Sequence, residues 1–299
     1  MTSDAHCHFF SPRFFETLGR DAPGRFGETP AAAMCATLGW EAPGSVASLT
    51  HRWLAELDRH EVDRAVLIAS VPGDEASVAE AVAMAPNRLV GFFMLNPLAD
   101  DAPARVSAGL GPMGLRGVCL FPAMQRYSLH DPRVVALVEQ VAASPGSVLF
   151  VHCGVLSVGI RKKLGLPSRF DMRFSNPLDV HGLAMAFPSL TIVVPHFGAG
   201  MFREALMLAD LCPNVVLDTS SSNHWIDYHP GLTLTDVFRQ ALHVAGASRL
   251  VFGTDSSFFP RGWNRPVLDA QRAAMSALGI SEGDAQAITH GNFDRLFPR

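Results

Sequence analysis

The chain has 299 residues and a formal net charge of −4, and it contains 17% charged against 48% hydrophobic residues. No basic excess is present, so nucleic acid is excluded as an expected partner, because its recognition needs a positively charged surface. The length suits one large barrel of about 250 residues or more, and the apolar composition predicts a large buried core and makes a homodimer a hypothesis.

Short apolar segments recur along the chain and alternate with helical patterns, which is typical of βα units around a parallel sheet. The predicted helices include 46–60, 131–143, 201–211 and 234–245, and a helical segment over 283–297 closes the chain. The eight predicted strands are 3–8, 64–70, 89–96, 117–122, 147–154, 191–198, 215–220 and 249–255.

Eight such repeats predict an α/β fold, a single (β/α)8 TIM barrel over residues 1–299, because closure removes the edges of the sheet. A doubly wound open sheet is the alternative. That fold normally carries a glycine-rich phosphate loop after its first strand, whereas here the sequence continues as His8-Phe9-Phe10-Ser11-Pro12.

The connection over residues 9–47 is much longer than an ordinary βα loop and is rich in proline, glycine and phenylalanine. We expect it to form a lid or a subunit contact. Deletion of residues 21–43 tests this hypothesis, which fails if neither activity nor assembly changes.

Ionisable side chains fall at the ends of four predicted strands. His6 and His8 end the first strand, His152 the fifth, His196 the sixth and Asp255 the eighth. Catalytic groups of such barrels lie at the C-terminal ends of the strands, where the loops converge. Residues two apart in a strand share a face, so both imidazoles of the first strand can point to the barrel axis.

Three imidazoles and one carboxylate (His6, His8, His152 and Asp255) suit a single divalent metal ion. Zn²⁺ is the first choice, with Mn²⁺, Fe²⁺ and Co²⁺ as alternatives, and one position would be left for water. A metal so placed lowers the pKa of its water to about 7. Asp255 would coordinate or take the proton, and His196 is a candidate general acid or base.

Cations in two predicted loops could hold an anionic group of a substrate. Arg161, followed by Lys162 and Lys163, lies after the fifth strand, and Arg203 lies after the sixth. Arg161 is the first choice for substrate binding. The alternative for each of these cations is an ordinary solvated loop charge.

Several further residues follow the last two strands. Asp218 could orient a ligand or hydrogen-bond a loop. Trp225, at the end of Ser220-Ser221-Ser222-Asn223-His224-Trp225, could bind a planar substrate or simply pack in its loop. An apolar wall and a cation beside Asp255 could come from Phe258, Phe259, Arg261 and Trp263.

Five motifs together resemble the successive signatures of the amidohydrolase superfamily. More narrowly, the chain resembles the amidohydrolase-related branch that includes 2-amino-3-carboxymuconate-6-semialdehyde decarboxylase. The likeness runs from residue 4 to residue 297, where His290-Gly291-Asn292 and Arg295-Leu296-Phe297 resemble that branch's C-terminal helix motif. The motifs are Asp4-Ala5-His6-Cys7-His8, Val151-His152-Cys153-Gly154, Pro195-His196-Phe197-Gly198, Leu217-Asp218-Thr219-Ser220 and Phe252-Gly253-Thr254-Asp255.

This resemblance implies the same metal ligands as above, with His196 contacting a metal-bound water or the substrate. It also implies one metal rather than two. Binuclear members bridge their metals with a modified lysine on strand 4, whereas Lys162 and Lys163 both follow strand 5. The glutamate that deoxyribonuclease-like members carry on strand 4 is absent from residues 116–122.

The expected function is a mononuclear metal-dependent hydrolase that uses a metal-activated water on a small carboxylated substrate, such as an amide, a lactone or an ester. One alternative is a metal-dependent non-oxidative decarboxylase of an aromatic or muconate-like acid. A non-catalytic barrel that binds metal or ligand is a third hypothesis, from another class. The preference for hydrolysis rests on analogy with the superfamily's commoner chemistry.

The five cysteines are scattered and contain no C-x-x-C pair, which favours reduced thiols over a disulfide framework or a zinc ribbon. The first residues, MTSDAHCHFF, lack the pattern of a secretory signal. Apolar runs are far shorter than the ~20 residues of a membrane helix. These observations predict a cytoplasmic protein without a membrane partner.

Overall fold

Eight parallel strands form one sheet in the computed structural model, which describes residues 1–168, 170–220 and 224–299. Each strand pairs with the next in chain order, so the predicted TIM-barrel topology is confirmed. The strands are β1 Thr2–Phe9, β2 Val62–Ala69, β3 Leu89–Met94, β4 Gly117–Leu120, β5 Val148–Val151, β6 Thr191–Val194, β7 Val215–Asp218 and β8 Leu250–Val251.

The barrel closes between β1 and the segment that follows the short strand β8. The amide of Ala5 donates to the carbonyl of Phe252 at 2.9 Å, and the amide of His8 donates to the carbonyl of Ser256 at 2.7 Å. Between them, the amide of Asp255 donates to the carbonyl of His6 at 2.9 Å. The two ends of the sheet therefore meet at the segments that carry His6, His8 and Asp255.

Helices follow the strands and cover the outside of the barrel, and the four internal helices predicted from the sequence are confirmed. The predicted closing helix is interrupted by a π-helical turn over Ala287–Gly291. The α-helices of the described residues are α1 Pro12–Gly19, α2 Pro30–Leu38, α3 Val46–Arg59, α4 Glu75–Met84, α5 Ala102–Leu110, α6 Pro122–Gln125, α7 Pro132–Ala142, α8 Gly159–Lys163, α9 His181–Ala186, α10 Phe202–Leu211, α11 Leu234–Val244, α12 Arg265–Ala277, α13 Glu282–Gln286 and α14 Asn292–Leu296.

Successive side chains of a strand point to opposite faces of the sheet, which produces one apolar layer inside the barrel and one between the sheet and the helices. On β2, Val66 and Ile68 point into the barrel, whereas Leu67 packs outward against the helices. Phe92 and Phe150 also fill the interior, and both are almost completely buried. The barrel is therefore a packed core rather than a pore, and chemistry is confined to its mouth.

Residues 9–47 form α1 and α2 and the loops around them. Proline at the start of each helix is typical of a first helical turn. The ring of Phe14 stacks on that of Phe10 at 3.9 Å, and Trp40 stacks on Phe259 at 5.8 Å. The insertion thus lies against the segment that follows Asp255.

A bilayer-spanning helix is not found among the described residues, since none is both long enough and apolar enough.

Candidate metal centre and cavity

The five predicted site residues all reach the C-terminal mouth of the barrel. His6 and His8 lie within β1, whereas His152 follows β5, His196 follows β6 and Asp255 lies beyond β8. The predicted strands 5, 6 and 8 were too long. His196 and Asp255 each have a φ of 57°, and this left-handed conformation cannot continue a strand.

Three ligand atoms converge on one point, and together they are called the ligand cluster here. His6 Nε2 lies 3.3 Å from His8 Nε2, and Asp255 Oδ1 lies 3.5 Å from His6 Nε2 and 3.0 Å from His8 Nε2. Ligands around a tetrahedral ion with bonds of ~2.0 Å are about 3.3 Å apart. The spacing of the cluster therefore matches one small divalent ion.

Hydrogen bonds fix the tautomers of the two histidines in β1. His6 Nδ1 donates to Asp218 Oδ2 at 2.6 Å. His8 Nδ1 lies 2.8 Å from Ser70 Oγ, whose own hydrogen is donated to the carbonyl of Ile68 at 3.0 Å. Ser70 therefore accepts from His8. Both Nε2 atoms in the cluster carry a free lone pair, as a metal ligand requires.

His152 lies beside the cluster with a polar atom unsatisfied. Its Nδ1 is buried and has no hydrogen-bond partner among the described residues. Its ring stacks on Phe121 at 5.2 Å. Burial, with the neighbouring imidazoles of His196 and His6, holds the pKa of His152 well below its ordinary value. In the described part of the chain, the converging group contains only His6, His8 and Asp255, so His152 stays a predicted fourth ligand. Its buried, neutral imidazole with an orphaned nitrogen suits that role.

His196 is neutral and held in one orientation. Its Nδ1 lies 3.0 Å from the carbonyl oxygen of Ser220, so this nitrogen is the donor and Nε2 carries the lone pair. Burial lowers the pKa of His196 below its ordinary value. Its ring lies 5.0 Å from that of His6 and 5.3 Å from that of His152. The side chain can therefore accept a proton next to the cluster.

The carboxylate of Asp255 is stabilised as an anion by the neighbouring imidazoles. Burial acts to raise the pKa of Asp255, but the contact with His8 and the neighbouring imidazoles of His6 and His196 outweigh it and lower that pKa. Burial acts to lower the pKa of His6, but buried Asp218 outweighs it and raises that pKa. Asp255 is therefore an ionised carboxylate at neutral pH.

Asp4 connects β1 to the segment after β8, the two segments that carry the ligand cluster. This role was not predicted from the sequence. Its carboxylate accepts from the amides of His6 at 2.9 Å and Thr254 at 3.1 Å, and from the indole of Trp263 at 2.7 Å. Burial raises the pKa of Asp4, although these bonds act to lower it. The only signal in the sequence was its place in the Asp-Ala-His-Cys-His motif.

Gly253 allows this close packing. A Cβ atom there would lie 2.8 Å from both Asp218 Oδ1 and His6 Cβ, so a larger residue would displace the hydrogen-bonding partner of His6.

A cavity of about 280 Å³ opens beside the cluster. Its lining combines the site histidines and Asp255 with apolar side chains, three serines that include Ser70, and the cations Lys163 and Arg261. The lining residues are His6, His8, Phe10, Phe14, Trp40, Ser70, Met94, Phe121, Met124, His152, Val155, Leu156, Ser157, Val158, Gly159, Ile160, Lys163, His196, Asp255, Ser257, Phe259, Pro260 and Arg261.

The three residues predicted to bind substrate do not line this cavity. Arg161 donates to Asp21 Oδ2 at 2.6 Å and to the carbonyl of Pro167 at 3.0 Å. Arg203 is exposed and pairs with the neighbouring Glu204 at 3.3 Å. Trp225 is buried against Phe202. Residues 221–223 of the predicted loop lie outside the described residues.

Three aromatic residues that reach the cavity from the insertion were not among the predicted site residues: Phe10, Phe14 and Trp40. Their aromatic character was visible, but no periodic pattern assigned these side chains to the site. Lys163 was weighed only after Arg161, and a short helix places it on the cavity.

Comparisons with solved structures show the same barrel in enzymes of different chemistry. The 5-carboxyvanillate decarboxylase of Sphingomonas paucimobilis has a TM-score of 0.67 at 18% identity, over 99% of this chain and 98% of that chain. A probable 2-pyrone-4,6-dicarboxylic acid hydrolase from Acinetobacter baumannii, with citric acid bound, has a TM-score of 0.61 at 16% identity, over 100% and 99%. An amidohydrolase from Burkholderia multivorans with bound zinc has a TM-score of 0.64 at 17% identity, over 99% and 98%.

At these identities the structural likeness shows the fold alone. Protein fluG of Emericella nidulans is 30% identical over 99 residues, which are 32% of this chain and 11% of that protein. That match thus covers only a small part of fluG. A family model described as Amidohydrolase matches residues 3–299. The resemblance seen in the sequence motifs is therefore confirmed, and the chain belongs to the amidohydrolase family.

Proposed function

We propose that this protein is a mononuclear metal-dependent hydrolase acting on a small carboxylated amide, lactone or ester. The ligand cluster carries the proposal, because its three atoms are spaced for one ion and its two imidazoles are held as the correct tautomers. We assign His6, His8, His152 and Asp255 as the ligands and zinc as the metal. Manganese, iron or cobalt would suit the same donors.

A divalent ion held there supplies Lewis acidity, which polarises a carbonyl oxygen and lowers the pKa of water. The chain's own residues supply the rest of the mechanism. His196 accepts the proton of the attacking water at Nε2, because its Nδ1 is committed to Ser220. The same nitrogen then delivers the proton to the leaving group. Asp255 is a second candidate base at the cluster.

The cavity supports a small, partly apolar substrate. Phe10, Phe14 and Phe259 are buried and form one side of the cavity, which excludes water from the reacting groups. Direct substrate contacts of Arg161, Arg203 and Trp225 stay predictions, and the positions of these residues favour structural roles for them. The insertion over residues 9–47 is also proposed as a lid, because it supplies part of this wall.

Decarboxylation of an aromatic or muconate-like acid is the second candidate. The structural similarity to the 5-carboxyvanillate decarboxylase of Sphingomonas paucimobilis and the aromatic lining of the cavity both favour it. In that reaction His196 would be positioned to deliver a proton to carbon.

Metal content tests the proposal first. We expect about one equivalent in the purified or zinc-reconstituted protein, and its loss in His8→Ala, because this variant removes one of the three converging atoms. His51→Ala, an exposed histidine on α3, is the matched control and should keep its metal. Absence of metal from the wild type after reconstitution would overturn the proposal.

Isotope and gas analysis then separate the reactions across a panel of lactones, amides and aromatic acids. Incorporation of oxygen from labelled water into the product indicates hydrolysis, and release of CO₂ indicates decarboxylation. Bound metal without turnover of any compound would favour a non-catalytic binding barrel.

A further inference from the structure

One wall of the cavity is a run of aromatic rings that leads away from the ligand cluster. The ring of Phe10 lies 6.0 Å from that of His8 and stacks in parallel on Phe14 at 3.9 Å. The contacts continue through Phe15, whose ring lies 5.3 Å from that of Phe14 and 6.3 Å from that of Phe259. Trp40 in turn stacks on Phe259 at 5.8 Å with an interplanar angle of 12°. This aromatic wall, formed by Phe10, Phe14, Trp40 and Phe259, offers flat apolar surfaces to a planar molecule.

Two cations line the cavity, one against Trp40 and one two residues after Phe259 in the chain. The Nζ atom of Lys163 lies 5.5 Å from the centre of the Trp40 ring. Arg261 follows Phe259 closely in the chain and also lines the cavity. Within residues 1–168, 170–220 and 224–299, neither cation makes a hydrogen bond or an ion pair.

The charged groups that line the cavity are unequal in number, and the cations are in excess. Asp255 is the one carboxylate among the described lining residues, and it is engaged by His6 and His8 in the ligand cluster. The part of the cavity near Trp40 therefore carries the positive charge of Lys163, which no group of the described residues compensates. A bound anion would supply the missing partner.

Arg161 cannot serve this purpose without breaking existing contacts. It is bonded to Asp21 and to the carbonyl of Pro167, and thereby ties the insertion to the loop after β5. Lys162 is exposed and does not line the cavity. Of the three consecutive cations, Lys163 alone is both in the cavity and without an anionic partner in the described structure.

We propose that Lys163, assisted by Arg261, binds an anionic group of the substrate at the end of the aromatic wall away from the ligand cluster. The inference rests on the proposed function and refines it. The substrate is then a planar, unsaturated acid whose carboxylate on Lys163 is distinct from the group that reacts at the cluster. Trp40 holds the lysine in place.

The experiment compares two planar probes that differ in one charge, benzene-1,3-dicarboxylate and 3-carbamoylbenzoate. Their dissociation constants are measured by isothermal titration calorimetry on the wild-type protein with its metal and on four variants. We expect the dicarboxylate to bind about tenfold more tightly to the wild type, since one charge-assisted contact is lost with the amide.

The variants identify the residue that is responsible for tighter binding of the dicarboxylate. Lys163→Met should reduce the ratio of the two dissociation constants to near unity. Lys163→Arg should keep most of the wild-type ratio, and Arg261→Met should reduce it in part. Lys162→Met is the matched control, because it removes the same charge one position away and should keep the full preference. All three substituted positions are exposed, so folding is not at risk.

Three outcomes would overturn the inference: equal affinities of the two probes for the wild type, an unchanged preference in Lys163→Met, or no measurable binding of the dicarboxylate at millimolar concentration. The affinity ratio needs no turnover. If the preference depends on Lys163 but the protein binds no metal, the proposed function fails while the anion site stands.

Discussion

The metal binding proposed for His6 and His8 depends on residues outside the ligand cluster. Asp218 and Ser70 accept the Nδ1 hydrogens of the two rings and so leave the Nε2 atoms free. Both partners are buried, so bulk water cannot readily replace them. These hydrogen bonds are therefore as necessary to the site as the ligands themselves.

We predict that Asp218→Asn lowers metal affinity about 10- to 100-fold, because an amide can no longer hold the His6 imidazole as firmly in the required tautomer. Competition with a chromophoric chelator measures the affinity. Asp210→Asn, on the exposed side of α10, should behave like the wild type. An unchanged affinity in Asp218→Asn would show that Asp218 does not orient His6.

Trp263 is predicted to stabilise the fold through Asp4. Trp263→Phe removes the indole donor from a buried carboxylate, which should lower the free energy of unfolding by about 1.5–3 kcal/mol in urea denaturation. Trp225→Phe is the matched control, because the indole nitrogen of Trp225 is equally buried but has no partner among the described residues. Equal losses in both variants would show that packing, not the hydrogen bond, is responsible.

At the scale of elements, Asp74 joins the loop after β2 to the start of α1. Its carboxylate accepts from Ser11 at 2.6 Å and from Ser77 at 2.5 Å. Ser11 also caps α1, which carries Phe14 into the cavity. Burial raises the pKa of Asp74 to about 6, although both hydroxyl groups act to lower it.

This shift predicts a pH dependence of stability. Between the ordinary pKa of 3.8 and about 6, the folded protein keeps a proton that the unfolded chain has released. The free energy of unfolding therefore falls as pH rises through this window, by up to about 3 kcal/mol. Asp74→Asn should lack this contribution. Urea unfolding at pH 4 and pH 7 tests it, and parallel pH dependences of variant and wild type would contradict it.

The presence and order of the helices and strands were predicted more accurately than the residues at which the strands end. Period-two spacing placed His6 and His8 on one face correctly, because a strand leaves no other choice. Beyond β6 and β8, the path of the chain depends on residues in the left-handed conformation, which include His196 and Asp255. The pattern of apolar residues in the sequence does not indicate this conformation. Lys163 was ranked below Arg161 because the partner of Arg161, Asp21, is distant in sequence and could not be foreseen.

At the scale of the whole molecule, the five cysteines are distributed through the buried core as free thiols. Burial raises the pKa of Cys7 and Cys119 well above their ordinary value and that of Cys35 to about 11. Because the thiolate is the reactive form, none should react readily in the folded protein.

We predict that Ellman's reagent at pH 8 labels the native protein slowly and detects five thiols after denaturation in guanidinium chloride. Free glutathione under the same conditions is the control for reagent reactivity. Rapid labelling of any thiol in the native protein would show that the enclosing helices open much more readily than their packing indicates.

The closure of the barrel beside the ligand cluster has a consequence for how the protein is made. His6 and His8 are synthesised long before Asp255, and the barrel closes only when the segment after β8 pairs with β1. The ribosome must therefore release nearly the whole chain before the ligands can meet. Metal capture would then be among the last events of biosynthesis, and the ion would bind preferentially to chains whose two ends have already joined.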